Sequence, residues 1–167
     1  MTPVASSGTA IVTLPTDEEI LIAREFDAPR HLVYEAWTTP ELVKRWWAGK
    51  QGEVTSVEID LRVGGTWRYV MIAHGGMEVA FHGEFREIVE NERLVTTEVY
   101  EGAPDGLGDP PLNVNTFTEL PDGRTLLEQR VVCPSRQVRD IIIDSGMETG
   151  LQHAMDALEQ VAISLAS

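Results

Sequence analysis

The strongest constraint on this chain is a change of period. From Val54 to Val132 apolar and polar residues alternate in steps of two, and after Pro134 the spacing lengthens to the three and four of an amphipathic helix. A run of half-buried strands followed by one long helix gives a sheet with an apolar face and one element able to cover it. The alternating region divides into strands near 54–62, 66–73, 77–90, 93–101, 112–119 and 124–132. Breaks at Gly64-Gly65, Gly75-Gly76, Asn91-Glu92 and Asp122-Gly123 suit the turns of an antiparallel meander.

Upstream, Ile20 to Phe26 reads as a strand, and Ile11 to Leu14 as the start of another before the turn at Pro15-Thr16-Asp17. Pro29 is preset for a helix start, ahead of Leu32, Val33, Ala36 and Trp37. Thr39-Pro40-Glu41 opens a second helix through Leu42, Val43, Trp46 and Trp47. Near the end, Ser135 can cap a short helix over Val138 to Ile143. Ser145 and Glu148 are spaced as a capping box for a longer helix reaching about Leu165, with Met147, Leu151, Ala154, Leu158, Val161 and Leu165 along one face.

One strand, two short helices, six meandering strands and a long helix bury their apolar faces together if the sheet curves and closes on the last helix. The expected fold is therefore α+β, a helix grip: a curved antiparallel sheet of about seven strands around the C-terminal helix. Residues 1–10 are small and polar and read as a flexible terminus, with one domain over 11–167. Alternation assigns Val57, Ile59, Leu61, Trp67, Tyr69, Met71, Val79, Phe81, Phe85, Leu127, Gln129 and Val131 to the inner face. Glu58, Arg68, His82, Glu84 and Arg130 fall on the outer one.

Several motifs also resemble a known family. Arg24-Glu25-Phe26-Asp27-Ala28-Pro29, Ala36-Trp37-Thr38-Thr39-Pro40-Glu41, Trp46-Trp47, Asp60 to Trp67, Gly83 to Ile88, Glu92-Arg93-Leu94 and Ser145 to Gly150 occur in the order seen in bacterial proteins related to the C-terminal domain of the Hsp90 ATPase activator. These belong to the START/Bet v 1-like superfamily. The resemblance spans about residues 11–165 and implies a helix-grip fold around a hydrophobic cavity. It also implies a role among binding lipids, hormones or polyketides, occasional cyclisation chemistry, and contact with Hsp90; fold alone does not choose between these.

Composition narrows the choice. Thirteen Lys plus Arg against 27 Asp plus Glu leave a net charge of −14, which argues against nucleic acid and anionic membrane as partners. With one cysteine, Cys133, there is neither an intrachain disulfide nor a Cys/His zinc pattern, and the four histidines lack metal-ligand spacing. The N-terminus lacks signal-peptide character, so a cytoplasmic location is expected. No cofactor and no metal are expected.

The leading expectation is a binding module for a small lipid- or polyketide-like molecule. Its walls would be Trp46, Trp47, Trp67, Tyr69, Met71, Phe81, Phe85, Met147 and Leu151, with Gln129 as an orienting polar group. Trp46 and Trp47 are adjacent and cannot share a direction, so one is core and the other a pocket rim or an exposed interaction residue. A polyketide cyclase- or dehydratase-like enzyme is the first alternative, with Glu98, Tyr100 and His74 as acid/base candidates. An Hsp90-type chaperone partner is ranked below both: the eukaryotic activator carries an additional N-terminal domain with its main Hsp90 contact, for which 167 residues leave no room. Oligomeric state is left open.

Overall fold

A computed structural model describes residues 9–104 and 106–166. The strands are β1 (Ile11–Thr13), β2 (Glu19–Phe26), β3 (Gly52–Ile59), β4 (Thr66–Ala73), β5 (Glu78–Val89), β6 (Arg93–Thr97), β7 (Val99–Tyr100), β8 (Leu112–Glu119) and β9 (Thr125–Val132). The helices are α1 (Arg30–Thr38), α2 (Pro40–Val43), α3 (Arg136–Asp144) and α4 (Met147–Leu165). The sheet runs β1-β2-β9-β8-β6-β5-β4-β3, with β7 paired to β5. All pairings are antiparallel, so the meander is interrupted only where β9 returns to lie beside β2.

The α+β helix grip is present, with more strands than the expected seven. Ile11–Thr13 is a true edge strand, and the expected strand over 93–101 is divided at Glu98 into β6 and β7. There the chain changes partner. Up to Thr96 it pairs with Phe85 of β5, and beyond Glu98 it pairs with Phe81 and His82 of the same long strand. A register shift between Phe85 and Glu87 adds a bulge to β5, and a second lies between Val54 and Ser56 in β3. Bulges of this kind increase local twist and bend the sheet.

Three local expectations are corrected. α2 ends at Val43 rather than continuing through Trp47; residues 44–50 form successive turns in which Arg45 and Trp46 donate to the carbonyls of Leu42 and Val43. The indole of Trp46 draws the chain in, donating to the Ala36 carbonyl at 2.9 Å and resting on Trp37 with ring centroids 5.0 Å apart. The capping box before α4 does not form. Its N-cap is Gly146 at φ +80°, a conformation that favours glycine, while the Ser145 hydroxyl donates back to the Ile142 carbonyl. β3 stops at Ile59, so Leu61 lies in the following turn with 42% of its surface exposed instead of facing inward. The expected cap of α3 is present: Ser135 Oγ accepts from the Val138 amide at 3.2 Å.

Most of the flexible terminus expected over 1–10 lies outside the described residues. Ala10 is buried, and its backbone exchanges both hydrogen bonds with the Gln152 side chain at 3.0 and 2.8 Å, tying the β1 edge to α4.

The core is concentrated at one end of the grip. Met155, Leu158, Val161 and Ala162 of α4 pack with Ile20, Ile22 and Phe26 of β2, Val33 and Ala36 of α1, and Phe117 and Leu127 of β8 and β9. Arg24 takes part as well. It follows Ile20 and Ile22 on the inward side of β2 and is 1% exposed, with Nη2 3.1 Å from Glu159 and 3.2 Å from Asp156. Its guanidinium lies 4.8 Å from the Phe26 ring centre, and the other Glu159 oxygen accepts from the Asp27 amide at 2.9 Å.

Arg24→Met, which retains bulk but removes the charge, should lower unfolding stability by about 3 kcal/mol, because it removes the guanidinium that Glu159 and Asp156 share. Arg24→Met combined with Glu159→Gln should recover much of the loss. Urea denaturation followed by tryptophan fluorescence measures both.

Candidate functional site

Where α4 leaves that core, toward its N-terminal end, the curved sheet and the helix stand apart. The space between them is a cavity of 1340 Å³, large enough for a lipid-sized or polycyclic molecule. β4 supplies Trp67, Tyr69 and Met71, β5 supplies Val79, Phe81 and Phe85, and α4 supplies Met147, Leu151 and Ala154. The 101–111 loop and α3 complete the wall with Leu107 and Ile142. Each strand contributes alternate residues because successive side chains point to opposite faces.

All ten residues singled out from sequence line this space: Trp46, Trp47, Trp67, Tyr69, Met71, Phe81, Phe85, Gln129, Met147 and Leu151. They are not equivalent. Trp46 is 5% exposed and committed to Ala36, whereas Trp47 is half-buried and sets its ring edge-on to Tyr69 and Phe81, at 5.3 and 5.7 Å. Trp47 therefore brings the turn after α2 onto the β4–β5 surface. Gly150 allows a similar approach. A Cβ there would come within 2.3 Å of the Gln51 side chain, so Gln51 reaches over the helix where its side-chain bulk is missing.

One wall is polar. Asn113 and Asn115 of β8 face inward with Phe117, and across the ladder they meet Thr96 and Gln129: Thr96 pairs with Asn113, and Asn115 pairs with Gln129. Glu98, at the break between β6 and β7, joins them and accepts from Asn113 Nδ2 at 3.1 Å. Burial raises the Glu98 carboxyl above the usual range, opposed by the Asn113 hydrogen bond. Burial likewise raises Tyr69, assisted by the negative charge of Glu98. Sequence reasoning reached Glu98 and Gln129 but not the two asparagines. The available signal was Asn113, Asn115 and Phe117 at steps of two on a strand whose register was the least constrained.

The three acid/base candidates separate. Glu98 faces the cavity. Tyr100 stands at its edge, 41% exposed and against Phe81. His74 lies in the β4–β5 turn, bonded through Nε2 to the Lys50 carbonyl, and does not line the cavity. On the outward side of β4 and β5, at the rim of the same space, Arg68 grips Glu101 through two hydrogen bonds of 2.8 and 2.9 Å, and His82 Nδ1 meets the same carboxylate at 2.9 Å. These partners, Arg68 foremost, hold Glu101 down to about 2. Cys133 is buried beside the end of β9, and burial pushes its thiol up to about 11. Among the described residues no three His, Cys, Asp or Glu side chains gather as a metal site, and no helix is long and apolar enough to cross a membrane.

A curved sheet gripping a helix over an apolar cavity defines the helix-grip class, a fold suited to holding a ligand. Within it, residues 27–162 match the model of the family described as Activator of Hsp90 ATPase homolog 1-like protein, and the chain belongs to that family. Similar solved structures include a protein from Rhodobacter sphaeroides at 20% identity with TM-score 0.83, covering 94% of this chain and 99% of that one. Another, from Mycobacterium smegmatis, is 23% identical with TM-score 0.81, covering 92% and 96%. An AHSA1-like protein from Aeromonas hydrophila is 21% identical with TM-score 0.63, covering 87% and 94%. A comparison with curated proteins gave no significant match.

Two chemical consequences can be measured. Glu98 is raised by burial, so the stability it contributes in neutral form is complete below the ordinary carboxyl range and is lost as pH rises through its raised value. Glu98→Gln should accordingly match the native protein near pH 4 and be more stable near pH 7, by melting temperature. Cys133 should resist a disulfide thiol reagent at pH 8 in the folded protein and react at once in denaturant.

Proposed function

We propose that this protein is a binding module for a small, largely apolar molecule, lipid- or polyketide-like in size and shape, held between the sheet and α4. The single observation that supports this reading most is the cavity itself. Trp67, Tyr69, Phe81, Phe85, Met147 and Leu151 surround a space that side chains leave unfilled, although apolar interiors normally close to crystal-like density. A ligand seated there would cover apolar surface that the open space leaves to water. Trp47, seated on Tyr69 and Phe81, is placed to report its arrival. A cytoplasmic setting accords with a lone, buried, unreactive thiol.

A second reading, an enzyme of the cyclase or dehydratase kind, is favoured by one observation: Glu98 and Tyr69 bring an acid and a phenol to the same cavity. The family description also names an activator of Hsp90 ATPase, and a chaperone-contact role stands behind both.

The uncharged fluorescent probe N-phenyl-1-naphthylamine tests the site. Phe81→Trp and Leu151→Trp add bulk to opposite walls, and each should weaken binding at least tenfold while melting within a few degrees of the native protein. Native-like affinity in both variants, or no binding by the native protein, would place any ligand elsewhere.

A further inference from the structure

The cavity wall is uneven in chemistry, and its polar part has a definite hydrogen-bonding character. The amide of Asn113 donates to Glu98 and that of Asn115 to the Leu94 carbonyl at 3.4 Å. Because both neighbours are acceptors, the orientation of each amide is settled by its surroundings: nitrogen toward the neighbour, oxygen left over. Both leftover Oδ1 atoms are buried without a partner, in residues 4% and 2% exposed. Directly opposite Asn115 on β9, Gln129 lines the cavity and makes no side-chain hydrogen bond to the described protein. Fully satisfied buried amides are the rule, so this wall is short of partners.

Cations are also lacking here. The basic side chains among the described lining residues are Arg68 and His82, and both are engaged by Glu101. An anionic ligand head would face the Glu98 carboxyl with no free positive charge to offset its desolvation.

Building on the binding-module reading, we infer that this wall selects an apolar molecule carrying an uncharged hydroxyl, which exchanges hydrogen bonds with Gln129, and that it turns carboxylates away. A hydroxyl both donates and accepts, which matches a free amide offering both functions. A hydrocarbon of the same shape would leave Gln129 unpaired, and a site built to hydrogen-bond a hydroxyl discriminates strongly against analogues lacking it. Tyr69, whose phenol burial keeps protonated, stands in the same cavity as a further neutral partner.

The test uses four probes with one skeleton, competing at pH 7 with N-phenyl-1-naphthylamine: 2-naphthol, 2-methylnaphthalene, 2-naphthylmethylamine and 2-naphthoate. Naphthol should bind at least tenfold tighter than methylnaphthalene and at least a hundredfold tighter than naphthoate. Gln129→Leu, which extends the apolar face of β9, should reduce the naphthol preference over methylnaphthalene to within about threefold while still binding the hydrocarbon, and Glu98→Leu should narrow the gap between naphthol and naphthoate at least tenfold. Equal affinities across the series, or a preference for naphthoate, would overturn the inference and leave the binding module standing. Tightest binding by the amine would overturn it too, since the selected head would then be a cation paired with Glu98. Failure of all four probes and of the fluorophore would remove the binding-module reading itself.

Discussion

The grip depends on a buried arginine. Arg24 enters the interior from β2 and takes hold of α4 through Glu159 and Asp156, while Glu159 also receives the Asp27 amide at the end of the same strand. The opposing carboxylates meet one nitrogen of this buried charge and the Phe26 ring lies against it, while Nε and Nη1 are left without hydrogen-bond partners. Such a contact specifies position more sharply than apolar packing, which is indifferent to small slides of a helix along a sheet. It pins the second half of α4, where Leu158 and Ala162 are completely buried, and lets the first half stand away from the strands.

That asymmetry makes the cavity. At the pinned end, Tyr34, Trp37 and Phe117 interlock edge to face, with Tyr34–Phe117 at 5.6 Å and Trp37–Phe117 at 6.1 Å, and seal the interior. At the open end, α4 offers Met147, Leu151 and Ala154, and Gly150 accepts the Gln51 side chain where a Cβ would collide. Glycine at 150 costs about 1 kcal/mol of helix propensity relative to alanine. The break at Glu98 works in the same direction. There the chain ends one pairing with β5 and starts another, and the Glu98 carboxyl lies on the cavity side at that point.

Most of the fold could be read from periodicity. The step of two through β3 to β9, the step of three and four in α4 and the turn glycines constrain an antiparallel sheet closed by one helix, because few arrangements bury both faces. The inner-face residues Trp67, Tyr69, Met71, Phe81 and Phe85 follow from alternation alone, and the cavity lining includes them all. Local rules failed where tertiary contacts outweighed them. The indole bond of Trp46 to Ala36 ends α2 early, and Gly146 in a left-handed conformation replaces the cap that Ser145 and Glu148 are spaced to make.

Arg24 and the asparagines show the boundary between the two kinds of information. In sequence, Arg24 sits at an inward position of β2, and Asp156 and Glu159 are three residues apart in a helix; nothing local says that they meet across 132 positions or more. Asn113 and Asn115 likewise read as ordinary polar strand residues until the register of β8 sets them against Thr96 and Gln129. The elements, their faces and the apolar character of the site were legible in the residues alone, since those depend on spacing along one chain segment. Tertiary structure alone decided where α4 is anchored, how much space remains beside it and which polar atoms are left without partners, because each depends on the distance between segments that only the closed fold brings together.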